Sequence, residues 1–484
     1  MTPFYFIAYS FLRELDLKVF ILAFCCLQFA CADMQPGVDT NVAESANGSK
    51  AIVDDHSDWA GFIELPRQVR FVDATVEAGI GFVHTSGMSG RKYGVETIGS
   101  GAAFFDYDRD GWMDLYVVNG GDLPGYVSTN TPRNALYHNE GGRFVEIGKA
   151  QRVADVGYGM GVSAGDFDND GDADLFVANF GRNAFYRNEG ADEAWVFSDI
   201  TEDIGLGADQ SWSTGSSFVD FDLDGDVDLY VANYLDFEFA EEDMRLEGGL
   251  QRPRRHLAPT EYPGRRDFLF RNEDGERFAD VTEAAGLLNL QCRELGAVFF
   301  DYDRDGDADL FQGNDATPNF LFRNDNGRFV EVGLFAGVAY NEGGKPEGTM
   351  GVDVADIDGD GHLDLAMTNF QWESNTLYRN QANGLFMDVS MDAGLGATSL
   401  SRLAFGINFL DVDLDGDQDL YVANGHIDED IDRFDPQATY GQLDQLYLND
   451  GGGRFTEVGE AAGLDLTEDM VGRGSAVADY DNDG

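Results

Sequence analysis

The chain has 484 residues, 43% of them apolar and 13% aromatic, enough to build a large core and to exclude a globally disordered protein. Its 89 acidic residues against 32 basic ones give a formal net charge of −57, which repels phosphate backbones and anionic membranes and excludes nucleic acid as a direct partner. Sixty glycines beside 11 prolines point to many tight turns and few rigid linkers.

At the N-terminus, Val19 to Ala30 is an apolar run of export-signal length, preceded by Arg13 and Lys18 but diluted by Glu14 and Asp16. Ala30-Cys31-Ala32 fits a small-residue cleavage site, so residues 1–32 read as a signal peptide or, with Cys31 lipidated, as a lipoprotein signal and anchor. Gln28-Phe29 departs from the usual lipoprotein pattern, and a buried N-terminal helix is the structural alternative. Residues 33–68 are polar and irregular and read as a flexible tether; no later segment is apolar enough to span a membrane. Three of the four cysteines, Cys25, Cys26 and Cys31, fall in the leader, which leaves Cys292 and no disulfide framework.

From Asp106 onward the pattern D-x-D-x-D-G-x-x-D recurs six times in full. The carboxylates are Asp106, Asp108, Asp110 and Asp114; Asp166, Asp168, Asp170 and Asp174; Asp220, Asp222, Asp224 and Asp228. They continue as Asp301, Asp303, Asp305 and Asp309; Asp356, Asp358, Asp360 and Asp364; Asp411, Asp413, Asp415 and Asp419. A seventh loop, Asp479, Asp481 and Asp483, begins just before the sequence ends. Each full loop runs into a short apolar stretch such as "LYVVN" or "LFVAN", of strand length and period two, with an Asn five residues after the last Asp: Asn119, Asn179, Asn233, Asn314, Asn369 and Asn424. That Asn reads as a strand-end turn residue tolerant of left-handed geometry. A second element, as in "NALYHNEGGRFVEI" from Asn134, follows each loop. Repeats of roughly 55 residues with several short strands predict the four-stranded blades of an all-β propeller over residues 69–484, and seven loop starts predict seven blades. "FVDATVEAGI" at Phe71 matches the closing element "FADVTEAAGL" at Phe278 with no loop before it, so the N-terminus is expected to complete the blade that Asp479 begins. The seventh loop lacks its last Asp and its strand, which reads as a truncation.

Carboxylates at positions 1, 3, 5 and 9 with Gly at 6 place hard oxygen donors around one point, the chemistry of Ca²⁺, with one ion expected for each blade at most. Position 7 would add a backbone carbonyl from Trp112, Asp172, Asp226, Asp307, His362 and Asp417, leaving that side chain free to vary. Zinc and copper are poor candidates for a pattern without His or Cys. An EF-hand fails, because position 12 is occupied by Val117, Val177, Val231, Gln312, Met367 and Val422 rather than a bidentate Glu. Paired carboxylates also serve glycoside hydrolysis, but an active site is one asymmetric constellation and this motif repeats.

The loops together with "N-x-L-Y-x-N…G-x-F-x-D-V-T-x-x-A-G-L" resemble the FG-GAP/VCBS propellers, and among them the cartilage acidic protein-like family that carries a C-terminal ASPIC/UnbV domain. The lead-in Gly79 to Gly111, with His84, Gly90, Tyr93, Glu96 and Gly99 to Gly101, resembles that family's head segment. The resemblance implies an extracytoplasmic, calcium-bound propeller of integrin-α type that binds glycan or protein ligands at a cell surface and does not catalyse. A catalytic propeller such as a polysaccharide lyase or hydrolase is the alternative; it requires a non-repeating cluster of His, Arg, Tyr or Lys on one face. A scaffold for a missing ASPIC/UnbV domain is the second alternative. The insertion Leu246–Arg266, with Arg252, Arg254, Arg255, His256, Arg265 and Arg266, is the one strongly basic stretch and reads equally as a partner-binding loop or an internal counter-charge. It lacks the cysteines that relatives often carry there, and the chain has no Arg-Gly-Asp triplet. His84 and Glu96 read as structural residues that hydrogen-bond the long loop before the first blade, with a place on the ring's face near a ligand as the alternative.

Overall fold

The computed structural model describes residues 69–239, 256, 258–288, 292–464 and 470–483, and the backbone of 7–13 and 16–21. Six four-stranded antiparallel sheets follow one another along the chain: Ala102–Glu146, Tyr158–Asp199, Ser213–Asp280, Glu294–Glu331, Val352–Asp388 and Ala404–Glu457. They are blades one to six of a β-propeller. The expected seventh blade is not among them, and the seven-bladed expectation is corrected to six. A loop start founds a blade only when paired strands accompany it, and the described residues from Asp479 to Asp483 belong to no four-stranded sheet.

Two segments occupy the space between blades six and one without forming a four-stranded sheet. Val69–Asp73 docks on the closing turn of blade six through Phe71 N–H to Ala462 O at 2.7 Å, and Phe71 stacks on Tyr421. Tyr480, from the Asp479 loop, stacks on Phe144 of blade one. Ile7–Arg13 and Asp16–Ile21 form a strand hairpin, not a helix, and its first strand pairs with Val69–Asp73. The rest of the expected leader, with Cys25, Cys26 and Cys31, and the tether lie outside the described residues. No described helix is long and apolar enough to cross a membrane.

The outer strand of each blade is partly exposed. Phe144–Glu146 reads buried, exposed, exposed, whereas Asp114–Val117 and Asp228–Asn233 are buried at every position. The second strand of each blade is covered on both faces by its neighbours, so the core is a ring of inter-blade contacts. In one such contact Tyr116 and Val118 of blade one meet Leu175, Val177 and Ala184 of blade two.

The inner strands converge on a central cavity of about 200 Å³, lined in part by Met160, Thr214, Met350, Phe405 and Arg473. Approach there is close enough to demand glycine: a Cβ on Gly351 would stand 2.0 Å from the carbonyl oxygen of Phe405 in the next blade. Gly474 makes the same approach to Ser100 O of blade one, where its Cβ would stand at 2.5 Å, so residues after blade six close the ring of inner strands.

Because consecutive strands are antiparallel, the connections alternate between two faces of the ring. All the acidic loops join first to second strands and lie on one face. The longer, non-repeating connections join second to third strands, or one blade to the next, and lie on the other.

Candidate metal centres and the opposite face

Every full acidic loop has the same internal bonding. The position-1 carboxylate accepts the N–H groups of positions 5 and 6, as Asp166 does from Asp170 at 3.1 Å and Gly171 at 2.9 Å. Position 5 accepts the N–H of position 7, as Asp170 does from Asp172 at 2.9 Å. Position 4 is left-handed throughout, at Arg109, Asn169, Leu223, Arg304, Gly359 and Leu414, and so is the position-6 glycine. The seventh loop repeats the first of these bonds, Asp483 N–H to Asp479 at 3.1 Å.

The position-9 Asp is a buried strut. Asp309 accepts Tyr302 N–H at 3.0 Å and Asn324 N–H at 2.7 Å, tying its loop to the third strand, and Asp114, Asp174, Asp228, Asp364 and Asp419 do likewise. Burial pushes Asp114, Asp228, Asp364 and Asp419 up to about 7, and Asp174 and Asp309 up to about 8, against the opposing pull of those N–H groups.

The position-3 carboxylate differs. One oxygen each of Asp108, Asp168, Asp222, Asp303 and Asp358 is buried with no hydrogen-bond partner. In loops two, three and four, ligand atoms of positions 1, 3 and 9 lie within 4.8 Å of one another, and in loop one those of positions 1, 3 and 5 do. A buried carboxylate oxygen left bare in five loops, facing further carboxylates, fits a hard divalent cation. Side chains reach the other oxygen of two of these carboxylates: Arg379 Nε lies 3.2 Å from Asp358 Oδ2, and His138 Nδ1 lies 3.5 Å from Asp108 Oδ2 and 3.1 Å from Asp114 Oδ1. Loop one therefore adds an imidazole that the sequence pattern of the loop alone does not contain.

Position-7 side chains are less free than their sequence variety suggests. Arg109 of loop one reaches Asp172 of loop two at 3.3 Å, and Asn169 of loop two reaches Asp226 of loop three at 2.8 Å, so neighbouring loops are linked around the rim. Asp307 accepts Asn326 N–H at 2.6 Å within its own blade.

A second recurring residue escaped the reading of the loops. The last Asn of N-x-L-Y-x-N, at Asn139, Asn188, Asn272, Asn324, Asn380 and Asn449, donates its side-chain amide to the position-2 carbonyl of the preceding loop. The acceptors are Tyr480, Tyr107, Phe167, Phe221, Tyr302 and Ile357, at 2.7–2.9 Å. Each blade's third strand thus buckles onto the acidic loop of the blade before it. The signal was its invariance at six places in one chain.

The strand-end Asn has a structural role, as expected, but not in left-handed geometry: none of the six has a positive φ. Asn233 N–H donates to Asp267 at 2.7 Å and its amide donates to Arg266 O at 2.9 Å, so it clamps the two ends of a connection on the opposite face. Asn424 does the same with Asp444 and Leu443 O.

On that opposite face the structure assembles residues that were scattered in sequence. Lys92, 7% exposed, sits 3.0 Å from Glu429 and 3.8 Å from Asp428, and His256 lies 3.7 Å from the same Asp428. Arg473 donates to the carbonyl oxygens of Thr97, Gly425, Gly472 and His426 and lies over the Phe405 ring. Glu96 accepts Ser89 N–H and Oγ–H, holding the head loop as expected. Burial and the nearby Arg473 charge press His84 down to about 4. Of the basic insertion, Arg265 meets Ser211 and Asp236, and Arg266 meets Asp280 at 2.7 Å, the counter-charge role; Arg252, Arg254 and Arg255 lie outside the described residues. Cys292 is buried, with its thiol donating to Arg265 O at 3.0 Å.

Six blades, acidic loops on one face and an Asn buckle from the third strand of each blade define a repeat-built β-propeller. Residues 106–177, 166–231 and 301–367 match the FG-GAP-like repeat family, so these parts of the chain are FG-GAP-like repeats. It is similar to cartilage acidic protein 1 of Xenopus tropicalis, 25% identical over 339 residues that cover 58% of this chain and 50% of the relative. The human protein of that name is 23% identical over 61% of this chain and 41% of its own length. The chain spans about half the length of the curated relatives it matches. Among solved structures it is similar to an Agrocybe aegerita lectin that recognises non-reducing terminal N-acetylglucosamine (14% identity, TM-score 0.46, covering 99% of this chain and 96% of that one). It is also similar to the V. cholerae biofilm matrix protein Bap1 (12% identity, TM-score 0.31, covering 60% and 38%).

Proposed function

We propose that this is an exported, calcium-stabilised propeller that binds a glycan or protein ligand outside the cytoplasm through the face opposite its acidic loops. The observation that carries the reading is the bare, buried position-3 oxygen recurring in five loops, each beside further carboxylates. Calcium bound there would neutralise like charges that otherwise repel, and would couple the folding of each blade to metal. With the repeated loops devoted to structure, recognition falls to the non-repeating connections. The cluster around Lys92, Asp428 and Arg473 is the one feature that favours a catalytic propeller. Its cations are already engaged, Lys92 by two carboxylates and Arg473 by four carbonyls, and this supports a role in fastening loops.

Thermal unfolding in EDTA, then with added Ca²⁺ and with Mg²⁺ as control, tests the metal half of the reading. Each loop filled at a hundredfold excess over its Kd adds about 2.7 kcal/mol, so several filled loops raise Tm by many degrees. An unchanged Tm in millimolar Ca²⁺ refutes it.

A further inference from the structure

On the face opposite the acidic loops, one tryptophan is turned into solvent and fixed there. Trp372 is 49% exposed, in the connection between Asp364–Met367 and Thr376–Asn380 of blade five. Its backbone is left-handed, φ 70°, a region that a bulky side chain enters only when its surroundings impose it. Here they do. Its N–H donates to Leu400 O at 2.8 Å, and its indole Nε1–H donates to Asp435 Oδ2 at 2.9 Å across the boundary to blade six. Asp435 is itself held: its N–H donates to Ile431 O at 2.8 Å, its other oxygen accepts Gln437 N–H at 3.0 Å, and Gln371 Nε2 reaches Oδ2 at 3.4 Å.

The result is a rigid aromatic plane whose only donor is occupied at the edge. Its ring is left for apolar contact, and a carboxylate and a primary amide stand beside it. The hydrogen bond to Asp435 reduces the rotamer freedom that a ligand would have to remove. The complementary ligand offers a flat C–H face ringed by hydroxyl groups, the chemistry of a pyranose. Charge narrows the choice further. Glu373, Asp430 and Asp432 outnumber Arg433 in the same two connections, on a chain of net charge −57, and would repel sulfated sugars and uronates.

We infer that Trp372, with Asp435 and Gln371, forms a subsite that stacks a neutral sugar ring. The inference rests on the binding-module reading and names the ligand class and the place.

The test is affinity electrophoresis of the full chain, in Ca²⁺, through gels containing a soluble β-glucan, a galactomannan or a xyloglucan, with heparin as the charged comparison. Retardation by at least one neutral polysaccharide is expected. Trp372→Ala should weaken it at least tenfold, Asp435→Ala several-fold, and Trp372→Phe only slightly, while Val145→Ala on the exposed outer strand of blade one should change nothing. All variants should keep the parent's Tm rise in Ca²⁺, which separates a lost subsite from a lost fold. The inference is overturned if no neutral polysaccharide retards the parent, if Trp372→Ala binds as well as the parent, or if heparin is preferred. A normal Ca²⁺ response in any of these cases leaves the metal half of the proposed function standing.

Discussion

Asp309→Asn removes one negative charge from loop four at nearly constant shape, and its effect should change with calcium. Asp309 is fully buried and holds two N–H groups, Tyr302 at 3.0 Å and Asn324 at 2.7 Å. Asn can accept only through its single oxygen, so one of these donors loses its partner, at about 1–3 kcal/mol. In EDTA an opposing gain applies, because burial holds this carboxyl up at about 8 and ionising it near neutral pH costs folding free energy. The two effects oppose each other, and the variant in EDTA should lie close to the parent. In Ca²⁺ the variant forfeits loop four's share of the metal stabilisation, about 2.7 kcal/mol at a hundredfold excess over Kd. A cooperative unit of about 400 residues has an unfolding entropy near 0.85 kcal/mol/K, so the deficit in Tm should be about 3 °C, seen only with metal. Differential scanning calorimetry of parent and variant in both conditions is the assay, with the exposed Asp325→Asn as control. An identical Ca²⁺-induced rise in parent and Asp309→Asn refutes the assignment of position 9 to the metal site.

Asn380→Ala removes the buckle to Tyr302 O at 2.8 Å and should cost about 1–3 kcal/mol in Ca²⁺ and in EDTA alike, measured by urea unfolding. A loss confined to one condition would show that the buckle serves metal binding rather than blade contact. In EDTA the protein should become less stable as pH rises from about 4 to 8. The position-9 carboxyls hold folded pKa values of about 7–8 against an unfolded value near 3.9, so the folded state binds more protons throughout that window. Saturating Ca²⁺ should flatten or reverse the slope. A metal-free Tm that climbs across the same window would contradict this sign.

Local chemistry wrote most of the repeat into the sequence. Carboxylates at fixed spacing around a glycine, followed by a short β-branched and aromatic run and repeated six times, locate the loops, the strands after them and a propeller. The second-strand residues were legible as apolar but not as buried on both faces, because that depends on a neighbouring blade and not on the strand itself. Counting loop starts gave seven blades where six form, since Asp479 has the loop but not the paired strands that make a sheet.

What only the tertiary structure decided is which distant residues share a place. Antiparallel order puts every acidic loop on one face and every irregular connection on the other, and no single repeat carries that information. Asn188 meets Tyr107 across 81 residues, Lys92 meets Glu429 across most of the chain, and Trp372 is fixed by Asp435 of the next blade. The carboxylates of an acidic loop lie within nine positions of each other, so the loop reads directly from the sequence. A recognition surface on a ring is built between blades, and its residues become neighbours only once the ring has closed.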